Sequence, residues 1–231
     1  MRSAEGRSYH LDAACQNSMP LRLHAVTSNN GHAAPTERGD GATSFVLYRE
    51  LGAVVSETPE FRGAPTGSEI IARHQAAVDA AFRRGPVLPA PVGVVFRTPE
   101  VLIRWMELHY VVLQDALAYL EDRVGARVHA TPSPEASGRG SLAHAAAEAA
   151  ASAHDAFHAL RLTVVTWVAL DRPNSGTVAS AAFLLEKGRW PEFESVLEEQ
   201  REAHTDLRLD VTGPWPPYDF VRMRFQTGGE T

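Results

Sequence analysis

The chain has almost no cysteine and almost no lysine. Of its 231 residues, only Cys15 is cysteine and only Lys187 is lysine. A single thiol closes no internal disulfide, which excludes the stapled scaffold of small secreted domains. Phosphate-cradling loops are missing too. Neither Gly-x-x-x-x-Gly-Lys-Ser/Thr nor Gly-x-Gly-x-x-Gly occurs, and the one lysine stands in Lys187-Gly188-Arg189-Trp190, the wrong order for a nucleotide loop. There is no Gly-x-Ser-x-Gly elbow for a nucleophilic serine. No apolar run approaches the roughly 18 residues of a membrane-crossing helix, and Met1–Arg7 is not followed by the apolar stretch of a secretory leader. Positive charge is short: 22 Lys+Arg against 28 Asp+Glu give a net charge of −6, the wrong balance for a protein that neutralises phosphates. These absences predict a cytoplasmic protein with no nucleic acid and no membrane among its partners.

What is present reads as an ordinary globular chain, 44% hydrophobic and 22% charged. At roughly 150 residues per domain the length allows one large or two small domains. Residues 1–18 are polar and aperiodic and read as a disordered extension, with Met19 a plausible natural start. Leu21–Thr27 alternates as a strand does; Phe45–Tyr48 and Ala53–Ser56 read as a hairpin about Glu50-Leu51-Gly52. Ser68 is placed to cap a helix whose buried face carries Ile71, His74, Val78 and Phe82. Within 87–96 only Val92–Phe96 reads as firm strand, because Pro89 and Pro91 break the first half. Thr98-Pro99-Glu100 opens a long helix, with Val101, Leu102, Trp105, Leu108, Val112, Leu113, Ala116 and Leu120 as its apolar stripe and Gly125 as its stop.

The second half reads as strand 126–130, an alanine-rich helix from Ser141 to about Leu160, strands 162–170 and 179–185, a helix from Trp190, and strand 207–211. The order β-α-β-β-α-β suits a ferredoxin-like sandwich, and the first half follows a related order. The predicted fold is therefore α+β: two ferredoxin-like α/β sandwich units joined by a long helix. The expected boundaries are 1–18 extension, 19–123 first unit ending in the long helix, 124–222 second unit, and 223–231 flexible tail.

The side chains suggest little catalysis. His154 and His158 are four apart on one helix, as are His144 and Glu148, a spacing that metal ligands use but that surface histidines also show. Cys15 falls in the extension, where nothing could hold a base beside it. Glu192, Glu194, Glu198, Glu199 and Glu202 spread over one helix face and read as solvated surface, or as a docking face for a basic segment. Trp105, His109 and Tyr119 read as core. No catalytic residue, cofactor site or metal site is expected.

One segment is unusual: Thr212-Gly213-Pro214-Trp215-Pro216-Pro217-Tyr218-Asp219-Phe220-Val221. Three prolines stiffen it, Gly213 permits a sharp turn, and three aromatics supply large apolar faces. Physically it is either a clasp across the sheet or a rigid recognition surface. The motif resembles the C-terminal signature of the gas vesicle protein GvpL/GvpF family. Leu51–Glu57, His74–Val78 with Pro86–Pro89 and Gly93–Phe96, and Ala181–Leu185 resemble further family segments in the family's order, so the likeness covers about residues 20–222. It implies a non-enzymatic accessory protein of gas vesicle formation, associated with the vesicle, with the small hydrophobic shell protein and other accessory proteins as partners. Gly213, Pro214, Trp215, Pro216, Pro217, Tyr218 and Phe220 are then the motif residues, structural or partner-binding. Two other classes stay open. A small α+β enzyme would need His154, His158 and a carboxylate to meet. A ferredoxin-like regulatory or ligand-binding module would need a pocket at Trp105 or Trp167.

Overall fold

The structure is a computed structural model and describes residues 19–29, 43–59, 67–134, 142–171 and 176–221, with side chains from residue 146 onward in the fourth segment. The extension 1–18, the tail 223–231, Cys15, the cap Ser141 and the His144 side chain lie outside the described residues.

Strands β1 (Leu21–Ser28), β2 (Thr43–Tyr48), β3 (Leu51–Glu57), β4 (Val87–Pro89) and β5 (Val95–Phe96) form one antiparallel sheet. The order is β2-β3-β1-β4, with β5 also paired to β1. The hairpin closes Tyr48 on Leu51, so its two loop residues are Arg49 and Glu50, with Arg49 at φ 52°. Gly52 is therefore not a turn residue, as expected, but a strand residue. A Cβ on it would stand 3.3 Å from the Phe45 ring, so glycine makes room for its cross-strand neighbour. The segment read as broken, Val87–Pro89, is the fully buried strand, while residues 91–94 between it and β5 carry a turn. Pro89 is tolerated because β4 ends the sheet path and its missing N–H costs no ladder bond on the outer side.

Helix α1 (Ser68–Phe82) lies on one face of this sheet. It starts at Gly67, so Ser68 is its first residue and makes no side-chain cap. His74, Ala77, Val78 and Ala81 are buried, whereas Ile71 is exposed. The opposite face is covered by α2 (Pro99–Leu108) and α3 (Tyr110–Leu120), which bury Leu102, Met106, Leu113, Leu117 and Leu120 against Leu21, Leu23, Val26, Leu51 and Val55. These two helices are the long helix of the sequence, interrupted at His109 (φ −108°, ψ 11°). The i→i−4 bonds His109 N–H to Trp105 O (3.2 Å) and Leu113 N–H to His109 O (2.9 Å) carry the rod across the joint. It ends at Leu120, where Glu121 and Asp122 turn the chain, and Gly125 belongs to the next strand.

The second sheet holds β6 (Arg123–Pro132), β7 (Thr166–Ala169), β8 (Ala179–Glu186) and β9 (Leu207–Trp215) in the order β7-β8-β6-β9. Helices α4 (Leu142–Arg161) and α5 (Trp190–Ala203) cover one face, as in a ferredoxin-like sandwich. Its core interleaves Ala126, Val128, Ala149, Ala153 and Ala156 with Phe157, Phe183 and Phe193. Phe183 sits at the centre, with ring centroids 5.8 Å from Phe157, 5.6 Å from Phe193 and 6.4 Å from Trp167. β7 is shorter than the apolar run predicts: Leu162 to Val165 turn the chain instead, and the Thr163 hydroxyl donates to Leu160 O at 2.9 Å. β9 runs on through Thr212–Trp215, four residues beyond the expected end. Leu184 points the other way, into the cluster beneath α2 and α3, and so joins the two halves.

Candidate functional site

The apolar stripe predicted for the long helix is only partly buried. Trp105 is half-buried and His109 exposed, while Leu108, Val111, Val112 and Tyr119 are 74%, 65%, 68% and 48% exposed. The expectation that Trp105, His109 and Tyr119 are core is thus corrected. Counting residues at 3.6 per turn, the buried face of Leu102, Met106, Leu113, Leu117 and Leu120 is rotated roughly a quarter turn from the predicted stripe. The helix is apolar around too wide an arc for one sheet to cover.

The uncovered side forms one wall of a groove of about 400 Å³. Trp105, His109, Val112, Ala116 and Tyr119 line it from α2–α3, Leu88, Leu113 and Leu120 make its floor, and Phe220 with Val221 supply the opposite wall. Trp105 is held against Phe96 (5.8 Å between centroids) and stacks on His109 (5.1 Å). The His109 Nδ1–H donates to the Trp105 carbonyl at 2.8 Å, which fixes the tautomer, since a carbonyl only accepts. At the other end the Arg123 guanidinium lies 4.1 Å over the Tyr119 ring. The groove therefore has rigid aromatic ends and an aliphatic middle.

The second wall is the C-terminal motif. Gly213 sits at φ 140°, and a Cβ there would lie 2.8 Å from Gly125 O, so both glycines allow β9 to close on β6 where the register shifts. The Gly213–Pro214 peptide is cis. Trp215 pairs with Gly125 and is 43% exposed; Pro216 and Pro217 are buried. Tyr218 N–H donates to Pro216 O and Phe220 N–H to Pro217 O, closing a compact turn. That turn reaches the first sheet: Tyr218 packs against the cluster that includes Ala25, Val54, Val78 and Val87, and Phe220 and Val221 against the cluster under α3. Burial pushes the Tyr218 hydroxyl up to about 12, Asp79 adds to this, and Arg127 opposes it. Asp219, which the motif leaves unspecified, accepts two bonds from Arg127 at 2.7 and 2.9 Å. This fork anchors the turn to the second sheet, and only the placement of Arg127 on β6 reveals it.

A second polar cluster lies between the first sheet and α1. A bulge between Leu23 and Ala25 turns His24 toward the helix. There its Nδ1 stands 3.2 Å from His74 Nδ1 and its Nε2 2.9 Å from Ser56 Oγ. Both rings are almost wholly buried. Burial, helped by His74 and Arg22, lowers His24 to about 4; burial also lowers His74, helped by Arg22 and opposed by the Ala90 backbone. Among the described residues no carboxylate hydrogen-bonds to the pair, and the group that orients His24 is the Ser56 hydroxyl.

The remaining candidates do not converge. His154 and His158 are exposed along a shallow depression with Arg161 and Trp167, the guanidinium 4.6 Å over the indole. Among the described residues no group of three or more His, Cys, Asp or Glu is placed to hold a metal. The glutamates of α5 are exposed, Glu192 paired with Arg189 and Glu198 with Arg201. No described helix is long and apolar enough to cross a membrane.

The described residues thus form a two-sheet α+β protein whose apolar groove is closed by a proline-aromatic segment. The chain belongs to the gas vesicle synthesis protein GvpL/GvpF family, whose pattern it matches over residues 22–139 and 136–222. It is 27% identical over 203 residues to gas vesicle protein F2 of Halobacterium salinarum, spanning 85% of this chain and 88% of that one. Its fold is shared with the crystal structures of GvpF from Anabaena sp. PCC7120 (TM-score 0.74, 13% identity) and Microcystis aeruginosa (TM-score 0.69, 13% identity). These comparisons cover 90% and 89% of this chain and all of each solved one.

Proposed function

We propose that this chain is a non-catalytic, cytoplasmic assembly factor of gas vesicle formation that binds the small hydrophobic shell protein before it polymerises. The observation that carries the reading is the groove between α2–α3 and the C-terminal segment, with its exposed apolar side chains. A shell subunit with apolar surface aggregates unless that surface is covered, and an apolar groove on an acidic carrier covers it while keeping the complex dispersed. The motif residues Gly213, Pro214, Trp215, Pro216, Pro217 and Tyr218 act as the brace between 19–123 and 124–222, and Phe220 faces the cargo. Other gas vesicle accessory proteins receive the loaded carrier.

The test is co-expression with the host's shell protein. The unaltered chain keeps shell protein in the soluble fraction and co-purifies with it. Ala116→Arg, which sets a charge in the groove wall, loses at least about tenfold in retention while its melting temperature stays within a few degrees. Equal retention by A116R, or no retention by the folded parent, overturns the reading.

A second reading is favoured by Trp105 itself. A groove of this volume with a fixed indole suits a small apolar ligand of a regulatory module. Quenching of Trp105 fluorescence by such a ligand, without shell protein, would support it.

A further inference from the structure

The outer ridge of α2–α3 is symmetric about its own middle. Reading outward from the His109 joint, Leu108 and Val111 come first on either side, then Arg104 and Asp115, then Val101 and Tyr119. The numbers of each pair sum to 219 or 220. All six side chains are exposed, Leu108 at 74%, Val111 at 65%, Val101 at 49% and Tyr119 at 48%. Val112, 68% exposed, adds to the centre. Neither Arg104 nor Asp115 forms an ion pair with another described residue.

Two helices packed antiparallel across a two-fold axis place residue i opposite residue j, and j opposite i, with i + j constant. With the axis at the His109 joint, Leu108 meets Val111 of the other copy, Val101 meets Tyr119, and Arg104 meets Asp115, each contact made twice. The same ridge packed parallel would set Arg104 against Arg104 and Asp115 against Asp115, which like-charge repulsion disfavours. By the 3.6-residue period Glu100 and Glu107 lie roughly a quarter turn round from the ridge centre, off the line of contact. The joint is fixed from behind by the β2–β3 hairpin: the Tyr110 hydroxyl donates to Glu50, and Arg49 lies over the Tyr48 and Tyr110 rings at 5.4 and 5.1 Å. A rigid, apolar, charge-flanked ridge has a second copy of itself as its natural complement.

We propose that the α2–α3 ridge is a self-recognition surface: two copies of this chain associate antiparallel through Val101, Leu108, Val111, Val112 and Tyr119, with reciprocal Arg104–Asp115 pairs flanking the axis. This rests on ridge geometry and charge, not on the shell-protein reading, although Val112 and Tyr119 also line the groove and are shared between the two surfaces.

Light scattering coupled to size exclusion, with sedimentation velocity over a concentration series, tests it on the full chain. The unaltered chain runs as a dimer that dissociates on dilution. R104D and D115R each set two like-charge clashes in every dimer and weaken association by about a hundredfold, at tenfold for roughly 1.4 kcal/mol per clash. The double variant R104D/D115R restores the dimer, because the pairs are re-formed with their signs exchanged. At concentrations low enough for all four to be monomeric they keep the same melting temperature, since both sites are exposed. A monomeric parent throughout the series, a dimer indifferent to either single reversal, or a double variant as weak as the singles overturns the proposal. Loss of the dimer with shell binding retained would separate this surface from the cargo groove.

Discussion

The two sheets share one strand order and are stabilised in opposite ways. The second is covered by helices on one face and has a dry core of alanines closed around Phe183. The first carries helices on both faces, and on one of them a pair of histidines stands where the second sheet has rings. Strand order follows from which segments pair, whereas what fills the space between sheet and helix is set separately by each side chain. Topology alone therefore says little about how either half responds to acid or to mutation.

Three measurements sharpen this contrast, from the largest effect downward. Phe183→Ala removes the ring that touches Phe157, Phe193 and Trp167, and leaves a cavity among alanines too small to refill it. It should cost about 3–5 kcal/mol in urea unfolding at neutral pH. A loss below about 1 kcal/mol would mean that the second core is loosely packed. The first sheet is the acid-sensitive one. His24 has an ordinary value of 6.5 and a folded value of about 4, so above 6.5 both states hold it neutral and stability is full. As pH falls from 6.5 toward 4 the unfolded chain takes up the proton first, and about 3 kcal/mol drains away. His74 adds to the loss in the same direction. Among the described residues the second sheet buries no histidine. His24→Asn should therefore flatten the dependence of the urea midpoint on pH between 6.5 and 4, and an unchanged slope would break the contrast. Smallest is the fork between the halves. Asp219→Ala removes two charge-assisted bonds from a partly exposed arginine and should cost about 1–2 kcal/mol. Its signature is weakened protection of Tyr218 and Phe220 in hydrogen exchange, with both cores unaffected.

How far the residues foretold this can be seen element by element. α4 and α5 follow from period and propensity because each has one partner face, and β8 follows from an apolar run that is buried on both of its faces. β4 escaped because proline normally forbids a strand, and only its place at the end of the sheet path makes Pro89 acceptable. Leu162 to Val165 look as strand-like as Thr166 to Ala169 to a propensity scale, yet the first four turn the chain and only the last four pair in register with β8. The groove was hidden for a different reason. Periodicity in α2–α3 reports an apolar arc but not what covers it, and here the sheet takes one part and leaves Leu108, Val112 and Tyr119 to solvent. The C-terminal motif was legible as a stiff aromatic segment. That Phe220 and Val221 would stand opposite Trp105, more than a hundred residues earlier in the chain, was not, because no local rule links them.

That separation along the chain has a consequence for synthesis. The groove takes Leu88 from the first sheet, Trp105 to Leu120 from the rod, and Phe220 and Val221 from the last described turn. A nascent chain that has emerged through the rod has one wall and the floor, but no opposite wall and no Tyr218 over Val78. The site is thus completed only once synthesis has passed Val221. A chain cut short anywhere before that turn lacks the opposite wall, so a formed groove reports that the residues of both sheets have been made.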